Sequence, residues 1–343
     1  MKAVLKKLMF WCLYYSRFFY LCRWLNRKYI PILVYHGISS QETPEWTQLP
    51  LDVFEQQMHY LKQKFHVVSL SETINYIKGK EKIPDYAVVV TFDDGYQSNF
   101  TIAKSVLDKY DIPATVFITT SFIRHDEKTS SYLWFDQVYN AFLNTKQETV
   151  TVDEIQLGTL TLSTAKEKIT AAEHVIDRLK VFSTKQKNKL VKDIVLKLNP
   201  PQIENPRYKG ANWTEIRQAY PRISVGAHTV NHEILTRVPL PQAVKEIEAS
   251  KTVIERSTGL PVAHFAYPNG RSEDFNTAII DAVKNALYQG AVTTIEGLNR
   301  QYDNVYTLKR IAVGSNIDYI HFVLLVSGTI DFVRKIIGKY TCG

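Results

Sequence analysis

Cysteine is scarce in this chain, and its placement excludes two kinds of structural site. The 343 residues contain three cysteines: Cys12 and Cys22 lie near the amino terminus, and Cys342 is the penultimate residue. An odd number of widely separated cysteines predicts neither a disulfide framework nor a zinc site built from thiolates. Low-complexity tracts and internal repeats are also absent from the sequence, which argues against disordered and solenoid proteins.

The first 30 residues contain no Asp or Glu. This uneven distribution of charge along the chain indicates which class of molecule the protein binds. Seven Lys or Arg residues lie there, at positions 2, 6, 7, 17, 23, 27 and 28, so the remaining chain carries only +1 of the formal net charge of +8. A nucleic-acid-binding protein more often spreads its basic residues over the fold. We therefore predict no nucleic-acid partner.

The amino-terminal segment has no apolar run long enough to cross a bilayer. Its longest uncharged run, residues 8–16, is shorter than the roughly 20 residues of a spanning helix, and no small-residue cleavage site follows. At about 100° per residue, every cation except Lys7 falls in one arc of roughly 140°. We predict that residues 1–29 form an amphipathic helix on an anionic membrane surface, peripherally on the cytoplasmic face. The alternatives are a helix packed on the protein's own body and an exported protein anchored by an uncleaved signal.

The remaining chain is long enough for one large domain of ordinary composition. Hydrophobic residues make up 45% and charged residues 22% of the sequence, so a sizeable core can form without a structural metal. Short apolar runs alternate with helical patterns in the first half, and this alternation predicts parallel βα units. The predicted strands there cover residues 30–35, 65–69, 87–92 and 114–118.

The alternation breaks between about residues 121 and 210. Residues 165–197 are polar with helical spacing and are followed by two prolines, so we predict a helical insertion. Strands resume afterwards, over 223–227, 262–267, 290–294 and 306–313. The predicted organisation is an amino-terminal segment over 1–29, a barrel with its insertion over 30–320, and a helical tail over 321–343.

Two adjacent carboxylates, Asp93 and Asp94, follow the predicted strand 87–92 in the cluster Thr-Phe-Asp-Asp-Gly. In barrels of βα units, active sites lie at the carboxyl ends of the strands. Neighbouring side chains there point in different directions, so one carboxylate can bind a metal while the other faces a water. A tight turn alone would also explain Asp and Gly at these positions.

Two histidines four residues apart, His228 and His232, follow the predicted strand that ends at Ala227. They can ligate one metal ion, and imidazole suits zinc, iron, cobalt or nickel. A further turn, residues 267–270, follows another strand and could aim a backbone N–H at a developing oxyanion. One carboxylate and two imidazoles would make a facial metal site, which leaves the second carboxylate to accept a proton from water.

In order and spacing these clusters resemble the first three motifs of the NodB-type polysaccharide deacetylases, the family 4 carbohydrate esterases. The likeness extends from about residue 30 to residue 313. The resemblance implies an α/β fold, namely a distorted (β/α)7 barrel. It also implies an enzyme that removes N-acetyl groups from amino sugars with one divalent metal ion, for which zinc is the first expectation. The resemblance also implies the roles of five residues: metal ligands Asp94, His228 and His232, general base Asp93, and oxyanion donor Tyr267 through its amide.

Other segments are similar to the poly-N-acetylglucosamine deacetylase and exopolysaccharide branch of that family, namely 34–38, 133–136, 213–216 and 308–311. Two family features are missing, however. The third motif has Ala266 where many members carry an Arg that orients the base, and we predict Arg310 as its substitute. The late Leu-x-His motif, which supplies a general acid, lacks its His. His36 is the predicted replacement, and a packed histidine at a strand end is the alternative reading.

The expected substrate is an N-acetylated glycan, either a polymer or a membrane-linked precursor. Two other functions stay open. One is hydrolysis of another acyl substrate, such as an O-acetyl ester or a cyclic imide, on the same site. The other is a glycan-binding protein without turnover, against which the retained base and metal ligands argue.

Overall fold

The computed structural model describes residues 2–41, 43–125, 132–201 and 204–340, with side chains left out for 2–4 and 337–340. Cys342 and the Lys2 side chain therefore lie outside the described part. Within it, the strands are β1 (Ile32–Tyr35), β2 (Gly37–Ser39), β3 (Gln48–Pro50), β4 (His66–Val67), β5 (Ala87–Phe92), β6 (Ala114–Ile118), β7 (Thr149–Thr151), β8 (Thr159–Thr161), β9 (Ile223–Ala227), β10 (His264–Ala266), β11 (Gly290–Val292) and β12 (Ile311–Ala312).

Helices surround these strands and connect most of them. The α-helices are α1 (Lys2–Tyr15), α2 (Phe18–Leu25), α3 (Leu51–Lys64), α4 (Leu70–Ile77), α5 (Lys104–Lys109), α6 (Trp134–Asn144), α7 (Ala165–Leu179), α8 (Thr184–Leu198), α9 (Trp213–Ala219), α10 (Leu240–Thr258), α11 (Thr277–Asn285), α12 (Tyr319–Val326) and α13 (Thr329–Tyr340). The helix that follows β5 begins as a π-helical turn, Asn99–Ala103, and continues as α5.

A curled parallel sheet forms the centre of the protein. Its strands follow the order β11-β10-β9-β6-β5-β1-β12, and β4 pairs beside β5. Every residue of β5 is buried, as expected for a strand covered on both faces. A parallel bridge between Val292 and Leu308 brings the segment before β12 against β11, at the other end of the order. The predicted fold, a distorted barrel of parallel βα units, is confirmed.

The segment between β6 and β9 forms a separate layer of helices with its own apolar core. The core lies among α6, the hairpin β7–β8, α7 and α8, and includes Phe142, Val175, Leu179 and Ile194. Two buried contacts join this layer to the barrel: the Tyr96 hydroxyl donates to Asp136 at 2.8 Å, and the Tyr208 hydroxyl donates to Glu45. The layer is thus fixed against the carboxyl ends of the strands.

The amino-terminal segment forms two helices instead of the single amphipathic helix that the sequence predicted. The chain turns at Arg17, whose φ of 60° lies in the left-handed region, so α1 and α2 have different axes. Phe10 of α1 contacts His321 of α12 at a ring separation of 4.7 Å, and Phe18 contacts Phe332 of α13 at 5.8 Å. One face of the segment therefore packs on the protein's own body. Among the described helices, none combines the length and the apolar character needed to cross a bilayer.

Candidate active site

Asp93 follows β5 directly and is held by an arginine that precedes β12, two strands from β5 in the sheet. The carboxylate is 3% exposed. Arg310 donates from Nη1 to Oδ1 at 2.8 Å and from Nη2 to Oδ2 at 2.6 Å. Burial alone would raise the pKa of Asp93, but the charge and the hydrogen bonds of Arg310 bring it down to about 2. Asp93 is therefore ionised at neutral pH.

Arg310 is fixed by contacts on the remaining sides of its guanidinium. Its Nε donates to the Thr293 carbonyl at 2.8 Å, and Nη1 also reaches the Thr91 hydroxyl at 3.3 Å. The side chain is fully buried. A planar guanidinium held in this way fixes the plane of the Asp93 carboxylate as well as its charge.

Asp94 has a buried carboxylate that accepts no hydrogen bond from the described part of the protein. Neither of its oxygens has a hydrogen-bond partner among the described residues. Its φ of 76° turns the side chain away from that of Asp93. Burial, reinforced by the charge of Asp93, raises the pKa of Asp94 well above its usual range. A buried and unpaired carboxylate is costly, and a bound cation would remove that cost.

The two predicted histidines meet Asp94 from the loop after β9. Nε2 of His232 lies 3.3 Å from Oδ1 of Asp94, and Nε2 of His228 lies 3.7 Å from it. Nδ1 of His228 lies 2.8 Å from the Ala266 carbonyl. Because a carbonyl can only accept, Nδ1 carries the proton and Nε2 keeps its lone pair. Burial lowers the pKa of both imidazoles, which keeps them neutral.

These three residues fit a divalent cation. One ligand atom from each of Asp94, His228 and His232 lies within 4.8 Å of the others. The set offers one anionic oxygen and two neutral nitrogens, a combination that suits zinc, iron, cobalt or nickel. The orphaned oxygens of Asp94 are the observation that a cation would explain best.

The loop that carries the two histidines is held by a glutamate that the sequence analysis missed. Glu246 of α10 accepts from the backbone N–H groups of Val230 and Asn231 at 2.8 and 2.9 Å, and from the Asn231 side chain at 2.7 Å. Its side chain is buried. Glu246 lies in a long amphipathic helix with several other glutamates, so only the tertiary structure distinguishes it.

His36 lies at the end of β1 and lines the same cavity as the metal-ligand set. Its Nδ1 is buried without a hydrogen-bond partner among the described residues. The ring packs edge-on against Trp46 at 5.1 Å. Burial lowers the pKa of His36 to about 4, although the charge of Asp93 opposes that shift. The structure thus places His36 near the base, as a candidate acid requires.

The Tyr267 prediction needs correction. The Tyr267 amide donates to the Val292 carbonyl at 3.2 Å, because the chain there still pairs with β11. Its side chain is buried and lies outside the cavity lining. Two residues later, Asn269 lines the cavity. Among the described hydrogen bonds, none uses the Asn269 backbone N–H as donor, so Asn269 is the better candidate for an oxyanion donor in this turn.

The cavity over the site has one wall from the barrel and one from the helical layer between β6 and β9. The barrel contributes His36, Trp46 and the catalytic cluster, and the helical layer contributes six further residues. Those six are Trp134, Phe135, Tyr139, Ile176, Lys180 and Lys187. The helical layer therefore takes part in forming the cavity that contains the site.

Comparison with known proteins agrees with this geometry. The family model for polysaccharide deacetylases matches residues 80–291, more than half of the chain. The chain belongs to the polysaccharide deacetylase family. This confirms the family predicted from the motifs.

A curated relative in the family is YxkH of Bacillus subtilis (strain 168), which is named as a polysaccharide deacetylase. The two are 26% identical over 151 residues, which cover 44% of this chain and 52% of YxkH. The chain thus spans about half of the length of the curated relative it matches.

Two solved structures share the fold across most of their length. The deacetylase PplD of Streptococcus pyogenes, solved with acetate, has a TM-score of 0.54 and 20% identity, and the match covers 87% of this chain and 98% of PplD. IcaB of Ammonifex degensii has a TM-score of 0.57 and 16% identity, with 88% and 97% covered. At these identities the likeness concerns the fold alone.

Proposed function

We propose that the protein is a metal-dependent hydrolase that removes N-acetyl groups from an amino-sugar glycan, either a polymer or a membrane-linked precursor. One relationship carries the proposal. A buried, unpaired carboxylate, Asp94, faces the Nε2 atoms of two neutral histidines, while the adjacent carboxylate, Asp93, is held separately by Arg310. This division supplies ligands and a base side by side.

Asp94, His228 and His232 would hold the cation, and their donor set favours zinc, with iron, cobalt or nickel as alternatives. A divalent cation there would polarise the acetyl carbonyl and lower the pKa of a neighbouring water. The Ala266 carbonyl and Phe135 orient the two imidazoles: the carbonyl accepts from His228, and the Phe135 ring packs on His232 at 5.5 Å.

Asp93 is the proposed general base. Its carboxylate is ionised, lies beside the ligand set, and has an Oδ2 atom 4.0 Å from Nε2 of His228. Arg310 takes one lone pair from each oxygen and leaves the others available to a water. As that water attacks the acetyl carbon, Asp93 accepts its proton, and the backbone N–H of Asn269 donates to the oxygen that gains charge.

His36 is the proposed general acid for the leaving nitrogen. It lines the cavity, and its buried Nδ1 has no protein partner in the described chain. With a pKa of about 4, His36 is neutral at neutral pH, so it would receive the proton that Asp93 took from the water and pass it to the amine as the carbon–nitrogen bond breaks. The charge of Asp93 stabilises His36 while it is protonated.

Product formation by the purified protein tests the proposal against its alternatives. The probes are N-acetylglucosamine tetramer and an O-acetylated xylan oligomer, both followed by acetate release, and a cyclic imide such as dihydrouracil, followed by its ring-opened product, with the bound metal measured in the same samples. Acetate from the tetramer supports N-deacetylation. Turnover of only the ester or the imide would assign the site to that chemistry, and binding of the tetramer without any turnover would assign a glycan-binding protein.

We also propose that the enzyme contacts an anionic membrane surface through residues 5–28. Sixteen large hydrophobic side chains are exposed in the described chain, and eight of them lie between positions 5 and 25. They are Leu5, Leu8, Trp11, Tyr15, Tyr20, Leu21, Trp24 and Leu25. Exposed apolar side chains are normally scattered, so a concentration of this kind indicates a surface that contacts something apolar.

Charge supports a bilayer as the partner of this surface. Lys6, Lys7, Arg17 and Lys28 are exposed within the same segment, which has no acidic residue. Interfacial helices combine Trp and Leu with basic residues in this way, and cytoplasmic leaflets are anionic. The opposite face packs on α12 and α13 through Phe10 and Phe18. The contact would therefore be peripheral.

A further inference from the structure

Resting on the proposed function, we infer that the glycan carries an anionic group, a carboxylate or a phosphate, close to the N-acetyl group that is removed. The cavity over the site is lined by three cationic side chains, Lys180, Lys187 and Arg271. Among the described lining residues the only carboxylates are Asp93 and Asp94, and both are occupied by the chemistry proposed above. The cavity therefore has an excess of positive charge with no acidic counterpart of its own.

Lys187 is the central element of this subsite. Its side chain is 5% exposed, yet no hydrogen bond and no carboxylate within 4.0 Å satisfies its ammonium group among the described residues. Nζ lies over the Trp134 ring, 4.7 Å from its centroid. The charge of Glu233 acts on Lys187 without a direct ion pair, and the Glu233 carboxylate accepts a hydrogen bond from the Thr184 hydroxyl. An ammonium group on a largely buried side chain, without a carboxylate partner, would be stabilised by an anion that a ligand brings into the cavity.

The other two cations surround the same cavity from different elements. Lys180 follows α7 in the helical layer, and its Nζ lies 2.8 Å from an Asp177 carboxylate oxygen. Arg271 belongs to the turn after β10, is exposed, and has no ion pair among the described residues. Two ring contacts link Lys187 to the metal-ligand set: Trp134, which lies beneath Lys187, contacts Phe135 at 5.5 Å, and Phe135 contacts His232 at 5.5 Å. An anion bound at Lys187 would thus lie beside the metal-ligand set, separated from it by two aromatic rings.

Apolar and aromatic walls would accept the sugar rings between these charges. Trp46, Trp134 and Tyr139 line the cavity with Ile176. Trp46 lies against His36, at the catalytic end, and Trp134 lies beneath Lys187, at the charged end. A glycan that spans the two ends places its acetamido group at the ligand set and its anionic substituent at the ammonium. In a low-dielectric cavity such a charged contact is stronger than in water.

Matched probes test this inference. Acetate release and equilibrium binding are measured with a neutral N-acetylglucosamine tetramer, a hyaluronan tetrasaccharide that carries carboxylates, and N-acetylglucosamine with and without a 1-phosphate. We expect kcat/KM or binding to favour an anionic member of these pairs by about tenfold at low salt, with the preference shrinking as salt rises. The carboxylate and phosphate arms show which anion the subsite takes.

Three variants separate the subsite from general damage. Lys187→Met keeps the apolar contact with Trp134 and should lower kcat/KM for the anionic probe by about tenfold relative to that for the neutral tetramer, which removes the preference. Lys187→Arg should retain the preference. Lys189→Met, an exposed position on the same helix with the same charge change, should behave as the parent. If Lys187→Met proves poorly folded, Arg271→Gln supplies the second test, with a smaller loss of the same preference.

If the parent protein showed equal kcat/KM and equal affinity for neutral and anionic probes, the inference would be overturned, while the deacetylase proposal would still hold. An equal loss of both probes in Lys187→Met would also overturn it, because that pattern belongs to a structural lysine. Absence of acetate release from every probe would count against the proposed function instead. The binding measurements would then still decide whether Lys187 selects an anion.

Discussion

Arg310 holds both oxygens of Asp93, although 217 residues separate the two along the chain. The pair joins β5 to the segment that leads into β12. Its geometry fixes a carboxylate beside the metal-ligand set and keeps it ionised, and the first prediction concerns this contact.

Replacement of Arg310 by Met should reduce both activity and stability. The buried carboxylate would lose its counter-charge, a change that typically costs 3–5 kcal/mol, roughly, in a buried pair. The pKa of Asp93 would rise toward and beyond its ordinary value, so the acid limb of kcat/KM would move to higher pH. The double variant Arg310→Met with Asp93→Asn should recover much of the stability without recovering activity. Unchanged pH dependence in the single variant would refute the role of Arg310.

Substitutions of Asp93 and Asp94 should affect metal binding and turnover differently. Asp93→Asn should retain bound metal and lose turnover by on the order of 10²–10⁴-fold, because an amide cannot accept the proton from water. Asp94→Asn should lower metal affinity first. Metal content by atomic emission, measured beside acetate release for each variant, checks the division. Loss of metal in Asp93→Asn with metal retained in Asp94→Asn would require the roles to be exchanged.

The histidine ligands should be needed for metal but not for folding. His228→Ala and His232→Ala should each lose bound metal and activity, while circular dichroism and gel filtration remain those of the parent, since the core is large enough without the ion. His174→Ala is the matched control, because His174 is an exposed histidine on α7. Full metal content in His228→Ala would end the assignment of that ligand.

Glu246 should matter for metal affinity without touching the metal. In Glu246→Ala the N–H groups of Val230 and Asn231 lose their acceptor, so the loop that carries His228 and His232 is no longer fixed. Supporting residues of this kind typically affect metal affinity by about 10–100-fold. Competition with a chromophoric chelator gives the affinity, and Glu248→Ala, an exposed neighbour on α10, gives the control. Equal affinities in the two variants would show that Glu246 does not position the ligands.

The exposed face of α1 and α2 should determine binding to vesicles. Trp11→Ser with Trp24→Ser should weaken binding to phosphatidylcholine vesicles that contain phosphatidylglycerol, and should do so at high salt as well. Lys6→Gln with Lys7→Gln should weaken binding only at low salt, because each cation contributes roughly 1 kcal/mol that salt screens. Sedimentation with vesicles measures both effects. Tyr302→Ser, at an exposed aromatic residue outside the segment, serves as control. Parent protein that stays in the supernatant with both anionic and neutral vesicles would refute the membrane contact.

Deletion of residues 1–28 is a poorer experiment than these substitutions. Phe10, Phe19 and Cys22 are buried against the rest of the protein. Removing them would uncover apolar surface of α12 and α13, so a truncated protein could aggregate even if the segment normally contacts a membrane. The sequence alone could not establish this, because the packing partners lie about 300 residues away in the chain.

The parts of the site that the sequence could predict are those fixed by strand ends. Asp94 follows β5, and His228 follows β9, and the carboxyl ends of parallel strands meet at one edge of a sheet. The error at Tyr267 has a different origin. Whether that amide is free depends on the register between β10 and β11, and no local pattern in the turn records that register. Arg17 likewise gives no local signal of a left-handed turn, since such a turn is usually marked by glycine or asparagine.

The strands β6 and β9 lie side by side in the sheet, although the whole helical layer separates them in the chain. The layer begins after Arg124 and ends before Asn212, and these two residues form a bridge, so the chain enters and leaves the layer at neighbouring points. A segment attached in this way can be lengthened, shortened or replaced while the order of the catalytic strands stays the same. The layer supplies Lys187 and Trp134 to the cavity. Sequence changes within the layer would therefore change which sugar is accepted, while the residues of the proposed hydrolysis stay the same. Transplanting residues 132–201 between relatives would be the direct way to exchange specificities.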